Sequence, residues 1–212
     1  MESCQTIHST QLSARGELIL TAAKDLFLQH GYDQTSLEMI ISVAGGSRRS
    51  IYHEFGNKQG LLMAVIQQQV SIQTATIASI NTTELIPSDA LKEMCFRFVK
   101  GLISETLVSL FRLVIQVIPK LPEIGMLIYE KGPLKGLKPL TDYLMQLDQA
   151  GILAIDDPCF ATRMLMEMIK GRIHFQVLLL PNQKISDEEI RQHINKAVDL
   201  FFKAYQPEQP VK

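Results

Sequence analysis

The sequence predicts an all-α protein of roughly nine or ten helices, and three features of the 212-residue chain carry that expectation. Apolar residues recur at three- and four-residue spacing through long stretches, the period of a helix with one buried face. Helix-start signatures stand ahead of several of these stretches. No run alternates apolar and polar residues with the period of two that a half-buried strand requires. The composition is that of an ordinary globular chain, with 46% hydrophobic residues, 20% charged residues and a formal net charge of -1. Such a balance excludes a disordered chain, and the charge by itself names no partner. Apolar runs such as Val177–Leu180 fall far short of the ~20 residues that cross a bilayer, so no membrane partner is expected. MESCQTIHST at the N-terminus has neither the basic nor the apolar region of a secretory signal, and a cytoplasmic location is expected. Cys4, Cys95 and Cys159 are widely spaced and fit reduced thiols better than a disulfide framework.

Leu18, Ile19, Ala22, Ala23, Leu26 and Phe27 share one face of a first helix, which Gly31 stops. Thr35-Ser-Leu-Glu38 reads as a capping box, with the Thr35 hydroxyl and the Glu38 carboxylate satisfying free amides where a second helix starts. Leu37, Ile40 and Ile41 form its inner face, and Ala44-Gly45-Gly46 ends it. Ser47 caps a third helix through Phe55, then Gly56-Asn57 breaks the chain and Asn57 caps a long fourth helix. Asn81–Asp89 reads as a loop, ahead of helical patterning from Ala90 to about Ile118 that Pro119 and Pro122 interrupt. A shorter segment, Glu123–Lys131, is expected to stop at Gly132-Pro133, and another helix to run from about Leu134 to Gln149. Asp157-Pro158 starts a helix that is apolar on most of its circumference to Leu180. A second capping box, Ser186-Asp-Glu-Glu189, opens the last helix, whose Ile190, Ile194, Ala197, Val198, Phe201 and Tyr205 lie along one face.

The stretch AGGSRRSIYHEFGNK, residues 44–58, sets two adjacent arginines on a short helix. At about 100° per residue, Ile51 and Phe55 fall on the core-facing side and Arg49 and His53 on the opposite one. Arg48 and Tyr52 form one flank, Ser50 and Glu54 the other. Such a helix can enter a DNA major groove with base donors central and phosphate donors at the walls. With the preceding helix and the tight glycine turn it makes a helix-turn-helix. An arginine fork bonds guanine O6 and N7 together, while tyrosine and serine hydroxyls reach phosphate oxygens. The amides where the second helix starts, beside Thr35 and Ser36, also suit a phosphate. A solvated surface helix would carry a charged pair as well, and residues 1–60 hold six acids against five bases, so the domain lacks a basic footprint.

ILTAAKDLFLQHGYDQTSLEMIISVAGGSRRSIYHEFGNKQGLLMAVI resembles the N-terminal DNA-binding domain of the TetR/AcrR regulators, with AlaAla then LeuPhe, GlyTyr, ThrSer, AlaGly, Ile-Tyr-x-x-Phe and Asn-Lys in register. The resemblance implies that Tyr52 and Lys58 grip the DNA backbone, that Thr35 touches phosphate, and that Arg48, Arg49, Ser50 and His53 face the groove, with Ser47 counted among the DNA-binding residues. Two positions depart from the family pattern: Gly46 stands where valine is common, and Arg49 where a small residue or proline is common. The rest of the chain, including FRLVIQVIPKLPEIGMLIYEKGP and YLMQLDQAGIL, is similar to the C-terminal domain of the AefR-like subgroup, with Gln116-Val117-Ile118 in place of a more polar, acidic stretch. The expected organisation is a helix-turn-helix domain over residues 1–57, ordered from about 13, a regulatory and dimerisation domain over 58–206, and a tail over 207–212.

A lone helix-turn-helix reads few base pairs, so such domains work as two-fold dimers with half-sites ~34 Å apart. Met164, Met168, Phe175, Leu179 and the Phe201/Phe202 pair supply more apolar surface than one helical face needs, and Gly171 allows close backbone approach. With the resemblance, they point to a homodimer interface through Phe175, Leu179, Ile194, Val198, Phe201 and Phe202. Six methionines from Met94 onward, with Phe98, Phe111 and Tyr129, suit an adaptable apolar pocket. The resemblance implies a small-molecule effector there, with Phe98, Phe111, Arg112, Gln116, Met126, Tyr129, Met164, Met168, Arg172 and His174 as candidate lining. An effector releases DNA only by binding better to the conformation whose recognition helices are wrongly spaced, with coupling through the fourth helix.

The expected function is therefore a homodimeric repressor of double-stranded DNA, released by a small apolar ligand. Alternatives are a DNA-binding protein whose C-terminal domain takes a protein partner, and a helical carrier of apolar ligands. No G-x-S-x-G, H-E-x-x-H or P-loop stands in the sequence and the five histidines are scattered, so no enzyme, cofactor, catalytic residue or metal site is expected.

Overall fold

The structure, a computed structural model, describes residues 12–181 and 183–207, without the side chains of 127 and 130–135. Cys4 and all of the tail but Pro207 lie outside these residues. Ten α-helices and no strand occur among the described residues. They divide into two units, Met1–Ile66 and Gln67–Lys212.

In the first unit, α1 (Ala14–Gln34) opens at Ser13, whose hydroxyl oxygen accepts the Gly16 amide. Gly31 takes φ 79°, ψ 167°, a conformation closed to most L residues, and sets the last turn of α1 apart from the rest. α2 (Leu37–Ala44) and α3 (Arg48–Phe55) both pack on α1. Ile19, Ala23 and Phe27 of α1, Ile40 of α2, and Ile51 and Phe55 of α3 are buried. Each large side chain among them contributes about 1.5–3 kcal/mol of apolar burial, enough in sum to fix how α3 lies on its support. Asn57 opens α4 (Lys58–Ala78) by accepting the Gly60 amide, as its position predicts.

The second unit takes the end of α4, a 3₁₀ turn at Thr82–Glu84, and α5 (Pro87–Leu102), α6 (Glu105–Val117), α7 (Pro122–Gly136), α8 (Lys138–Gln149), α9 (Pro158–Leu179) and α10 (Asp187–Ala204). Its core joins Leu91, Cys95 and Val99 of α5, Leu140 and Leu144 of α8, Leu165 and Ile169 of α9, and Ile190, Ile194, Val198 and Phe201 of α10. Three of the residues expected at a dimer interface, Ile194, Val198 and Phe201, are thus core residues of the single chain. The apolar face of α10 packs against α5 and α9 and leaves none of these three for a second copy.

Three element boundaries differ from the expectation. The run from Ala90 to Ile118 is two helices, because Ser104 caps α6 by accepting the Leu107 amide, and α5 starts earlier, with Pro87 in its first turn. The helix expected to stop at Gly132-Pro133 continues to Gly136, since an internal proline removes one backbone hydrogen bond without preventing the turns on either side. The two predicted starts in the last third stand: Asp157 accepts the Phe160 amide ahead of Pro158, and Ser186 and Glu189 form a reciprocal capping box.

Candidate nucleic-acid interface

α2 and α3 are joined by Gly45-Gly46-Ser47. Gly45 and Gly46 take φ 72° and 99°, and the Gly45 amide donates to Ile41 O at 2.8 Å, closing α2. A side chain at Gly46 would strain that backbone and put its Cβ 3.3 Å from Arg15 Cδ. The glycine that departs from the family pattern therefore matches the backbone of this turn. Arg15 crosses from α1 and donates to Ala44 O at 2.6 Å, satisfying a terminal carbonyl of α2.

Ser36, not Thr35, caps α2, accepting the Met39 amide at 3.2 Å. Thr35 is fully buried, and its hydroxyl donates to Gly31 O at 2.8 Å and Leu26 O at 3.1 Å. The expected phosphate contact through the Thr35 hydroxyl is corrected accordingly: the group ties α1 to the start of α2 and has no path to a ligand. Glu38 is likewise no member of a capping box. Arg48 Nε donates to Glu38 Oε1 at 2.6 Å, and Arg48 Nη2 reaches the same oxygen. The Glu38 backbone amide and then Arg48 hold this carboxyl below its ordinary value.

Ser47 caps α3 by accepting the Ser50 amide at 3.3 Å, and the two hydroxyls lie 3.2 Å apart. Ile51 and Phe55 are buried beneath the helix, whereas Arg48, Arg49 and His53 are exposed and Tyr52 is 53% exposed. Arg49 makes no hydrogen bond or ion pair among the described residues. Glu54 turns away from the ridge and accepts from the Ser13 hydroxyl and, at 3.4 Å, the Ser13 amide. The Lys58 ammonium lies 4.3 Å from the Tyr32 ring centroid; burial lowers its pKa, and Asp33 opposes that shift.

An eight-residue helix showing two arginines, a histidine, a tyrosine and a cap serine to solvent, braced by a second helix across a tight turn, defines a helix-turn-helix protein. The chain belongs to the TetR family of DNA-binding transcriptional regulators: residues 19–65 match "Bacterial regulatory proteins, tetR family" and residues 89–207 match "AefR-like transcriptional repressor, C-terminal domain". The HTH-type transcriptional regulator RutR of Escherichia coli (strain K12) is 35% identical over 85 residues, 40% of either chain. The HTH-type transcriptional repressor AcnR of Corynebacterium diphtheriae is 28% identical over 80 residues, 38% of this chain and 42% of its own. These matches span about two fifths of the curated relatives' length. Among solved structures, a TetR-family transcriptional regulator from Mesorhizobium loti superposes with a TM-score of 0.83 at 26% identity, covering 94% of this chain and all 100% of its own. The Flavonoid-responsive Regulator FrrA superposes with a TM-score of 0.77 at 25% identity, covering 92% and 98%. The relatives are transcriptional regulators rather than enzymes. Among the described residues no helix is long and apolar enough to cross a membrane.

Among the described residues, those expected around an effector line neither of two clefts in the second unit. Phe98 and Met168 pack on the core of the second unit. Arg112 donates to Val177 O and Leu178 O, both at 2.9 Å, and pins the end of α9. Phe111 stacks edge-on against His174 with ring centroids 5.2 Å apart. Gln116, Met126, Tyr129, Met164 and Arg172 are exposed. Two clefts lie elsewhere in this unit. One, of about 370 Å³, lies between α4, α5 and α8 and is lined by Ile77, Ile80, Met94, Pro139 and Tyr143 with Thr74 and Gln146. The other, of about 510 Å³, is more polar and holds Lys92, Glu93, Arg97 and Arg191. Neither was visible in the sequence, because residues from three or more separated segments form each wall.

Of the expected dimer residues, Phe175 is 65% and Leu179 62% exposed, and Phe202 is half-buried. Phe160 and Met164 are exposed on the same side of α9, at the spacing that keeps a helical face in line, and Leu200 is exposed on α10. Sequence periodicity had no means of separating these residues from core ones, since both kinds are apolar.

Proposed function

We propose that the protein is a cytoplasmic homodimeric repressor that binds a two-fold symmetric operator and leaves it when a small apolar effector binds. The exposed ridge of α3 carries the reading. Arg49 and His53 read base edges at its centre, while Ser47, Arg48, Ser50, Tyr52 and Lys58, with Ser36 at the start of α2, hold phosphates. A second copy covers the apolar strip of Phe160, Met164, Phe175 and Leu179 on α9 with Leu200 on α10, a surface that is costly to leave in water and self-complementary under two-fold symmetry.

The cleft between α4, α5 and α8 supports the effector. It offers mainly apolar walls, with hydroxyl and amide groups from Thr74, Thr82, Tyr143 and Gln146. Lys138 and Asp142 at its edge bond each other at 2.6 Å, so the cleft favours an uncharged ligand. α4 supplies Thr74 and Ile77 to the cleft and Lys58 to the reading head. Both clefts border solvent, which supports a second reading in which this unit takes a protein partner.

Selection of bound sequences from random duplex DNA tests the main reading, and recovery of sites without two-fold symmetry refutes the dimeric repressor. On a recovered site Arg49→Ala relaxes base preference, whereas Tyr52→Phe weakens all sequences alike. Equal effects of the two would contradict the division of labour along α3.

A further inference from the structure

We propose that Glu38 is a specificity-determining residue: by holding Arg48 through two donors on one carboxylate oxygen, it stands in for a DNA phosphate and suppresses binding to non-cognate sequence. The proposal rests on the DNA-binding reading of α3 and deepens it.

Arg48 opens the recognition helix, on the flank where backbone phosphates pass when a helix lies in the major groove. In the free protein its guanidinium is already engaged, with Nε at 2.6 Å from Glu38 Oε1 and Nη2 on the same atom. Arg49, one residue on, has no partner among the described residues. The two adjacent arginines thus differ in what contact with DNA requires of them. Arg49 is available at once; Arg48 must exchange one oxyanion for another.

Glu38 suits that exchange because it stays ionised. Its own amide and Arg48 both favour the carboxylate, so the group is an anion at neutral pH. It sits on α2, ten residues before Arg48, so the pair exists only when the two helices meet across the turn.

Non-specific affinity comes from releasing counterions when arginine and lysine neutralise phosphates, and each neutralised phosphate adds about -0.9 to the slope of log K against log salt. A carboxylate that occupies Arg48 removes one such contact from every weak encounter. On the cognate site, where base contacts hold the helix at full depth, the phosphate is presented closely enough to displace the carboxylate. The ratio of specific to non-specific affinity rises as a result. Among the six acids in residues 1–60, Glu38 lies on an arginine of the recognition helix.

The test measures binding of the full-length protein by fluorescence anisotropy over a salt series. The probes are a random-sequence duplex pool and the duplex selected from such a pool. Glu38→Gln is expected to tighten random-sequence binding by about two- to fivefold, the range in which one exposed ion pair acts. It should also steepen the salt slope by up to about 0.9, with a smaller gain on the selected duplex and an unchanged melting temperature. Glu38→Ala should behave alike, and neither change should act in an Arg48→Ala background. Glu17→Gln, which removes the same charge from the first turn of α1, should not steepen the slope. Unchanged affinity and slope would overturn the proposal, as would a gain that persists without Arg48, or weaker binding to both duplexes. If the wild-type protein bound neither duplex, the DNA-binding reading itself would fall, and the proposal with it.

Discussion

Replacing Thr35 by valine separates two roles that the sequence alone left joined. The side chain is fully buried, and its hydroxyl donates to Gly31 O at 2.8 Å and to Leu26 O at 3.1 Å. Valine keeps the branched shape, so no cavity opens. What is lost is one shared hydrogen bond and the satisfaction of a buried carbonyl, a cost of about 1–3 kcal/mol. The added methyl recovers about 0.8 kcal/mol of apolar burial. The expected net loss is thus about 0.2–2.2 kcal/mol, centred on ~1 kcal/mol, which moves the thermal midpoint of a chain of this size down by roughly 2–4 °C. Urea denaturation of the full chain, followed by helicity, measures the loss. DNA affinity measured well below the transition should be unchanged, because the hydroxyl faces α1 rather than the duplex. Intact stability together with weakened DNA binding would refute the assignment and restore the phosphate contact.

Three further outcomes follow from the same geometry. Ile194→Ala should destabilise the second unit by about 2–5 kcal/mol, as a core truncation does, whereas Phe175→Glu should leave that stability intact and shift the mass in light scattering towards one chain. Equal destabilisation by both would contradict the split between core and exposed strip. His174, half-buried against Phe111 and near Lys170, has its pKa lowered by burial first and Lys170 second, with Glu167 opposing. A depressed folded value means a stability contribution that is present above 6.5 and lost as pH falls through the folded value. His174→Gln should flatten that acid-side loss, and an unaltered profile would rule it out. In a Cys4→Ser background, a thiol reagent should modify exposed Cys159 at once, but Cys95, whose thiol burial pushes far up, only after unfolding. Rapid loss of both thiols would show that the core is open.

Much of the architecture was legible along the chain because its causes are local. Ser47, Asn57, Asp157 and Ser186 cap helices where their neighbours say they should, since a cap is set by residues within one turn. The outward ridge of α3 was equally legible, because Ile51 and Phe55 leave only one way to bury eight residues. The sequence pattern places the cap of α2 one residue early, at Thr35 instead of Ser36: both can accept an amide, and the position of the preceding turn decides which one does.

By itself the sequence determined the helical class, the helix-turn-helix and the identity of the groups on its ridge, all of which follow from periodicity and capping within a few residues. Only the tertiary structure decided that Glu38 holds Arg48, that Arg15 closes α2, that Ile194, Val198 and Phe201 belong to one chain's core, and that Phe160 and Phe175 do not. Each of those outcomes depends on which helix faces which. Periodicity can say that a face is apolar, but not what will cover it.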